Sequence, residues 1–109
     1  MNYFMKFYDN NDVEILETST LTFLGDTLNI SELKQRFNLN FVQNKNVKCC
    51  KVTFLGKGIN KSFIAGFRNE SLVIVDMDTK KEYSSKEFST ELNNLEQYFN
   101  TSKQVACLH

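Results

Sequence analysis

The chain contains no proline and no tryptophan, and its 109 residues include a single histidine, three cysteines and four glycines. Lys far outnumbers Arg and Asn is abundant, so the missing proline and tryptophan match the bias of AT-rich codons. The one histidine, His109, is the last residue of the sequence, where nothing downstream is expected to fix its ring, and a Ser-His or Cys-His nucleophilic site is not expected there. Cys49, Cys50, Cys107 and His109 are four candidate zinc ligands, but structural sites space paired ligands by two to four residues, and neighbours on a strand point to opposite faces. No metal and no cofactor is therefore expected. The same cysteines lack the paired spacings of a disulfide framework and suit a reducing compartment. No apolar run approaches the ~18 residues of a membrane span. The longest, Leu72 to Val75, is strand-sized. Met1 to Asp9 mixes Asn, Lys and Asp into its apolar residues, unlike a secretory signal, and Cys107 lies outside the terminal four-residue pattern of prenylation. A cytoplasmic protein with no membrane partner is expected.

What is present is enough to fold. A hydrophobic share of 41% against 24% charged residues lies near the globular average, far from disorder. A chain of this length makes one domain, expected over residues 1–100 with a flexible tail over 101–109. Ten Phe residues should supply much of the core. The pattern predicts an α+β fold. Residues 2–8 (NYFMKFY) read as a strand, Asp9 to Asp12 as a turn, and Val13–Leu16 with Thr18–Leu24 as one bent strand or two. Ile30, Leu33 and Phe37 fall at helical spacing behind Asn29, which predicts a short helix over 30–37. Residues 47–77 read as a three-stranded antiparallel meander, with Leu72 to Val75, apolar on both faces, placed centrally. Ser84 and Glu87 stand in capping-box relation, and Phe88, Leu92, Leu95 and Phe99 form one stripe, so an amphipathic helix over about 85–99 should pack on the sheet. Thr22-Phe23-Leu24-Gly25 echoes Thr53-Phe54-Leu55-Gly56; a duplicated strand-turn unit would explain it, but chance with shared turn chemistry is preferred, since repeat architectures normally need three or more units.

The charge of zero, 13 cations against 13 anions, hides a segregation. From Leu33 to Asn69 there is no Asp or Glu, while Lys34, Arg36, Lys45, Lys48, Lys51, Lys57, Lys61 and Arg68 are all basic. Were these cations on one face near Phe54, Phe63 or Phe67, they would track a phosphate backbone with rings available for stacking. The opposing reading is that the basic segment neutralises its acidic flanks within the fold. It is favoured by the pI of about 6.6, because nucleic-acid-binding domains usually carry a basic surplus. Segregated charge also suits a specific protein partner. Asp76 and Asp78, two apart on a strand, would share a face as a metal or acid-base site needs; the plainer reading is a strand entering a turn. Gly56-Lys57-Gly58 lacks the spacing of a phosphate loop and reads as a hairpin turn. Tyr3, Tyr8, Tyr83 and Tyr98 are candidates for an interface.

From Lys51 to Phe88, consecutive hairpins lead to Val73-Ile74-Val75-Asp76, and this third of the chain resembles a small SH3-like or Tudor-type barrel segment. The aromatic cage of a methyl-ligand reader is not identifiable in it. In size, composition and lack of a catalytic set, the chain is similar to accessory proteins of phages and mobile elements, many of which block a larger host protein. The function expected is thus a non-enzymatic interaction protein that binds and inhibits or adapts a larger protein or nucleoprotein complex. The alternative is a nucleic-acid-binding module using the basic segment 34–68, with Lys45, Lys48, Lys51, Lys57, Lys61 and Arg68 as contacts. A homodimer formed by pairing an edge strand at Tyr3 to Tyr8 is a further expectation.

Overall fold

The computed structural model describes residues 2–11, 14–21, 30–56 and 58–108, and side chains within 3–11, 30–56 and 58–98. Its frame is a six-stranded antiparallel sheet in the order β2-β1-β3-β4-β5-β6. The strands are β1 (Asn2–Tyr8), β2 (Glu14–Leu21), β3 (Cys49–Gly56), β4 (Ile59–Arg68), β5 (Ser71–Asp76) and β6 (Glu82–Tyr83). Helix α1 (Ile30–Phe37) and helix α2 (Ser85–Leu108) complete an α+β fold with a long C-terminal helix.

Alternation decides which side of the sheet is covered. Tyr3, Met5 and Phe7 of β1, Cys50, Val52 and Phe54 of β3, Phe63 and Ala65 of β4, and Ile74 of β5 are buried on one face. Ile30, Leu33 and Phe37 of α1 and Phe88, Leu92 and Leu95 of α2 complete the same core. Their three- and four-residue spacing puts each set on one helical stripe. The two helices are tied directly: the Ile30 N–H, one of the unsatisfied donors at the start of α1, donates to Glu96 Oε2 at 3.0 Å. Lys34 Nζ donates to Ser89 Oγ at 2.7 Å.

Helix α1 does end at Phe37, but the backbone continues as a π-helical turn over Asn38–Val42, closed by the Gln43 N–H donating to the Asn38 carbonyl at 2.9 Å. The wider turn brings Phe41 into the core against Phe37, their centroids 5.2 Å apart, and leaves Leu39 and Val42 exposed. Helix α2 starts on the expected capping box, with Ser84 N–H donating to Glu87 Oε1 at 3.0 Å and Glu87 N–H to Ser84 Oγ at 3.2 Å. It runs to Leu108 rather than ending near residue 99, because no Gly or Pro between Asn100 and Leu108 interrupts it.

Several expectations are corrected. Residues 51–88 do not close a barrel: β3, β4 and β5 are inner strands of one sheet, in which β2 and β6 are the outermost described strands. Strand β5 is not central, since among the described strands only the two-residue β6 lies beyond it. Strand β1 is not an edge, being paired to β2 on one side and β3 on the other, so pairing through Tyr3 to Tyr8 has no open partner. Tyr3 and Tyr83 belong to the core. The second strand is one piece over Glu14–Leu21, and the echo residues Thr22–Gly25 lie outside the described residues. Among the described residues no helix is long and apolar enough to cross a membrane.

Candidate interaction surfaces

Two surfaces remain after the core is built. The first is a groove of about 450 Å³ between α1, the π-helical turn, the β4–β5 hairpin and the start of α2. Leu33, Phe37, Val42, Phe67, Leu72, Phe88 and Leu92 give it apolar walls, with Lys34 and Glu70 at its margin. Phe54, Phe63, Phe88, Phe37, Phe41 and Phe67 form an unbroken run of rings, neighbouring centroids 5.2 to 6.2 Å apart. It begins in the deepest part of the sheet and surfaces at Phe67, which is 48% exposed. Val42, 42% exposed, lines the groove with it, and Leu39, 55% exposed, lies on the same π-helical turn as Val42. The hairpin beside it turns through Asn69 and Glu70 at φ of 52° and 68°, the pattern of a type I′ turn. Asn suits that conformation; Glu does not, so the turn holds local strain where it borders the groove.

The second surface is the face of the sheet that no helix covers among the described residues. It carries Phe4, Lys6 and Tyr8 of β1, Lys51, Thr53 and Leu55 of β3, Ser62 and Ile64 of β4, and Val73 and Val75 of β5. The apolar character of β5 on both faces therefore marks a strand with one side open, not a strand between two layers. Thr53 and Ser62 share a hydroxyl hydrogen bond of 2.9 Å across β3 and β4.

The basic segment is scattered over these surfaces rather than gathered on one. Lys45 and Lys48 are exposed in the loop before β3, Lys51 lies on the open face, and Lys57 is outside the described residues. Arg68, at the end of β4, is paired with Glu82 at 3.1 Å. Arg36 is paired with Glu32 at 2.8 Å. Lys61 lies on the core side, its Nζ 3.1 Å from Asp76 Oδ2 and 4.0 Å from Glu91. Strand alternation separates the cations, so the arrangement on one face does not form. Phe54 and Phe63 are fully buried and offer no stacking surface; Phe67 does.

Asp76 and Asp78 do not form a paired carboxylate site. Asp76 is fully buried and Asp78 exposed. Asp76 Oδ1 accepts from the Asp78 and Thr79 N–H groups at 2.8 and 3.2 Å, fastening the β5–β6 loop, while Oδ2 faces Lys61 and has no further hydrogen bond among the described residues. Burial pushes the Asp76 carboxyl upward, but the Lys61 ammonium and the two backbone N–H groups outweigh it and hold the carboxyl below its ordinary value. The hydrogen bond to Asp76 holds the Lys61 ammonium above its ordinary value against the opposing effect of desolvation. Cys49 and Cys50 take opposite faces, and burial pushes the Cys50 thiol far up, away from reactivity. Among the described residues no three His, Cys, Asp or Glu side chains come together as a metal site.

Compared with known proteins, the chain matches no family profile, no curated protein and no solved structure. The residues that sequence reasoning missed are Leu39 and Val42, while Phe67 was singled out only as a ring for stacking and not as part of a groove. Their signal was weak: two apolar residues in a polar run after a helix, and a Phe at the end of a strand.

Proposed function

We propose that the protein binds a larger protein or nucleoprotein complex and inhibits or adapts it, with no chemistry of its own, in the manner of phage or mobile-element accessory proteins. The observation that carries this reading is the groove with its exposed apolar lip. Three of the five large exposed hydrophobic residues among those described, Leu39, Val42 and Phe67, lie on the two segments that border it. Scattered apolar residues on a surface need no explanation, but a concentrated set at the mouth of an apolar groove marks a place for another molecule's side chains. Phe67 is braced from behind by Phe41, so it presents a fixed ring at little entropic cost. Lys34 and Glu70 at the margin offer one charge of each sign to orient the partner.

A tagged pull-down from lysate of the native host, with and without nuclease and with Phe67→Asp as control, tests this. The expected result is one stoichiometric protein that survives nuclease and is lost with Phe67→Asp. Capture of the same protein by the variant would remove the groove from the reading. Turnover of a substrate by the purified protein, lost on mutating specific polar residues, would sink the reading itself.

A further inference from the structure

On the uncovered face, β1 and β3 place rings and cations in alternation. Phe4, Lys6 and Tyr8 point to this side of β1, about 6.8 Å apart at two-residue steps. All three residues are half-buried. In register across β3, Phe4 faces Thr53, Lys6 faces Lys51 and Tyr8 faces Cys49. Two lysines directly opposite on adjacent antiparallel strands, with Cβ atoms about 5 Å apart, repel one another and are unfavourable for the sheet alone. Glu17 of β2 stands in register with Lys6 on the other side of β1. Phe4, Lys6, Lys51 and Thr53 line a cleft of about 300 Å³, which unites a ring, two ammonium groups and a hydroxyl. Beyond Tyr8 the exposed Lys48 extends the line, its N–H bonded to the Tyr8 carbonyl at 2.7 Å.

We infer that this β1–β3 stripe is a contact site for single-stranded nucleic acid, with bases against Phe4 and Tyr8 and phosphates at Lys6 and Lys51. The partner follows from the alternation. A single strand repeats a planar base and a monoanionic phosphate, and proteins that bind it combine aromatic platforms with a cationic track on an open sheet surface. An acidic protein would satisfy the lysines and leave both rings without planar partners. A duplex keeps its bases stacked internally and would use only the lysines. The site lies on the opposite side of the sheet from the core and does not depend on the groove.

The test is fluorescence anisotropy with a labelled oligothymidylate of about 20 nucleotides, long enough to cover a site of this size. The expected result is binding that weakens with salt at a log–log slope of about −0.7 for each phosphate contact, hence near −1.4 for the pair. Lys51→Gln should reduce that slope by about 0.7. Phe4→Leu, which keeps apolar volume without a stacking face, should weaken binding by about 5- to 150-fold, and Phe4→Tyr should restore most of it. Circular dichroism melting of each variant checks the fold. Phe67→Asp, in the groove, should leave the oligonucleotide affinity unchanged, so failure at one surface is distinguishable from failure at the other. No binding at about 50 mM salt, equal binding by Lys51→Gln, or equal binding of duplex or of polyglutamate as competitor would overturn the inference.

Discussion

Asp76 is a charged side chain with no exposure to solvent, and it survives there because three groups face it: the Lys61 ammonium and the Asp78 and Thr79 N–H groups. Removing Lys61 leaves Oδ2 buried without its counter-charge. Lys61→Met should therefore destabilise the fold by roughly 2–3 kcal/mol, read as a lower midpoint in urea. Glu91 touches Lys61 only at 4.0 Å, and Glu91→Gln should cost no more than about 0.5 kcal/mol. The pair also sets a pH window. Because the Asp76 carboxyl lies below its unfolded value of 3.8, its contribution is complete above that value and is lost as pH falls through the lower folded one. Because the Lys61 ammonium lies above 10.5, its contribution is complete below that value and is lost as pH rises through the higher folded one. Urea midpoints across the pH range should form a plateau with a fall on either side. Asp76→Asn, weaker at neutral pH, should lose the part of the acid fall that this carboxyl causes.

At the scale of the element, the ends of α2 and of the β4–β5 hairpin make opposite predictions. Ser84→Ala removes a cap whose two hydrogen bonds are in place and should cost about 1 kcal/mol, seen as a lower thermal midpoint. Glu70→Gly replaces a residue held at φ 68° by the one that adopts this conformation freely, and should raise the thermal midpoint by a few degrees. The capping box was legible in the sequence because its signature is local, as was α1, whose three core residues sit at helical spacing. The meander was legible for the same reason: strand alternation and turn residues act over a few positions. What was not legible depended on distance. No local pattern shows that β2 joins outside β1, which turns β1 from an edge into an inner strand. The short β6 is held by two cross-strand pairs, Ile74 with Tyr83 and Val75 with Glu82, and its sequence alone does not mark it. The groove was missed because Phe67 and Val42 are 25 positions apart and meet only once the π-helical turn has been made. The cations of the basic segment read as one stripe in the sequence because charge runs ignore which face each residue takes. Lys6, the residue that pairs with Lys51 in register, lies outside that segment altogether.

At the scale of the molecule, both helices lie on one side of the sheet, and among the described residues no helix lies on the other. Tyr3, Met5, Phe7, Cys50, Val52, Phe54, Phe63, Ala65 and Ile74 form the fold, while their immediate neighbours along the same strands face outward. Gly66 shows how little the outward side is constrained by packing, since a methyl group built there would meet nothing within 4 Å. Saturation mutagenesis scored by folding alone should return a period of two along β1, β3, β4 and β5, with intolerant positions alternating with permissive ones. The same library scored for binding should reverse part of that pattern, beginning with Phe4 and Lys51. Such a sheet separates inheritance of shape from inheritance of specificity: a lineage under pressure to follow a changing target can rewrite every second codon of four strands, and each variant it tries still folds.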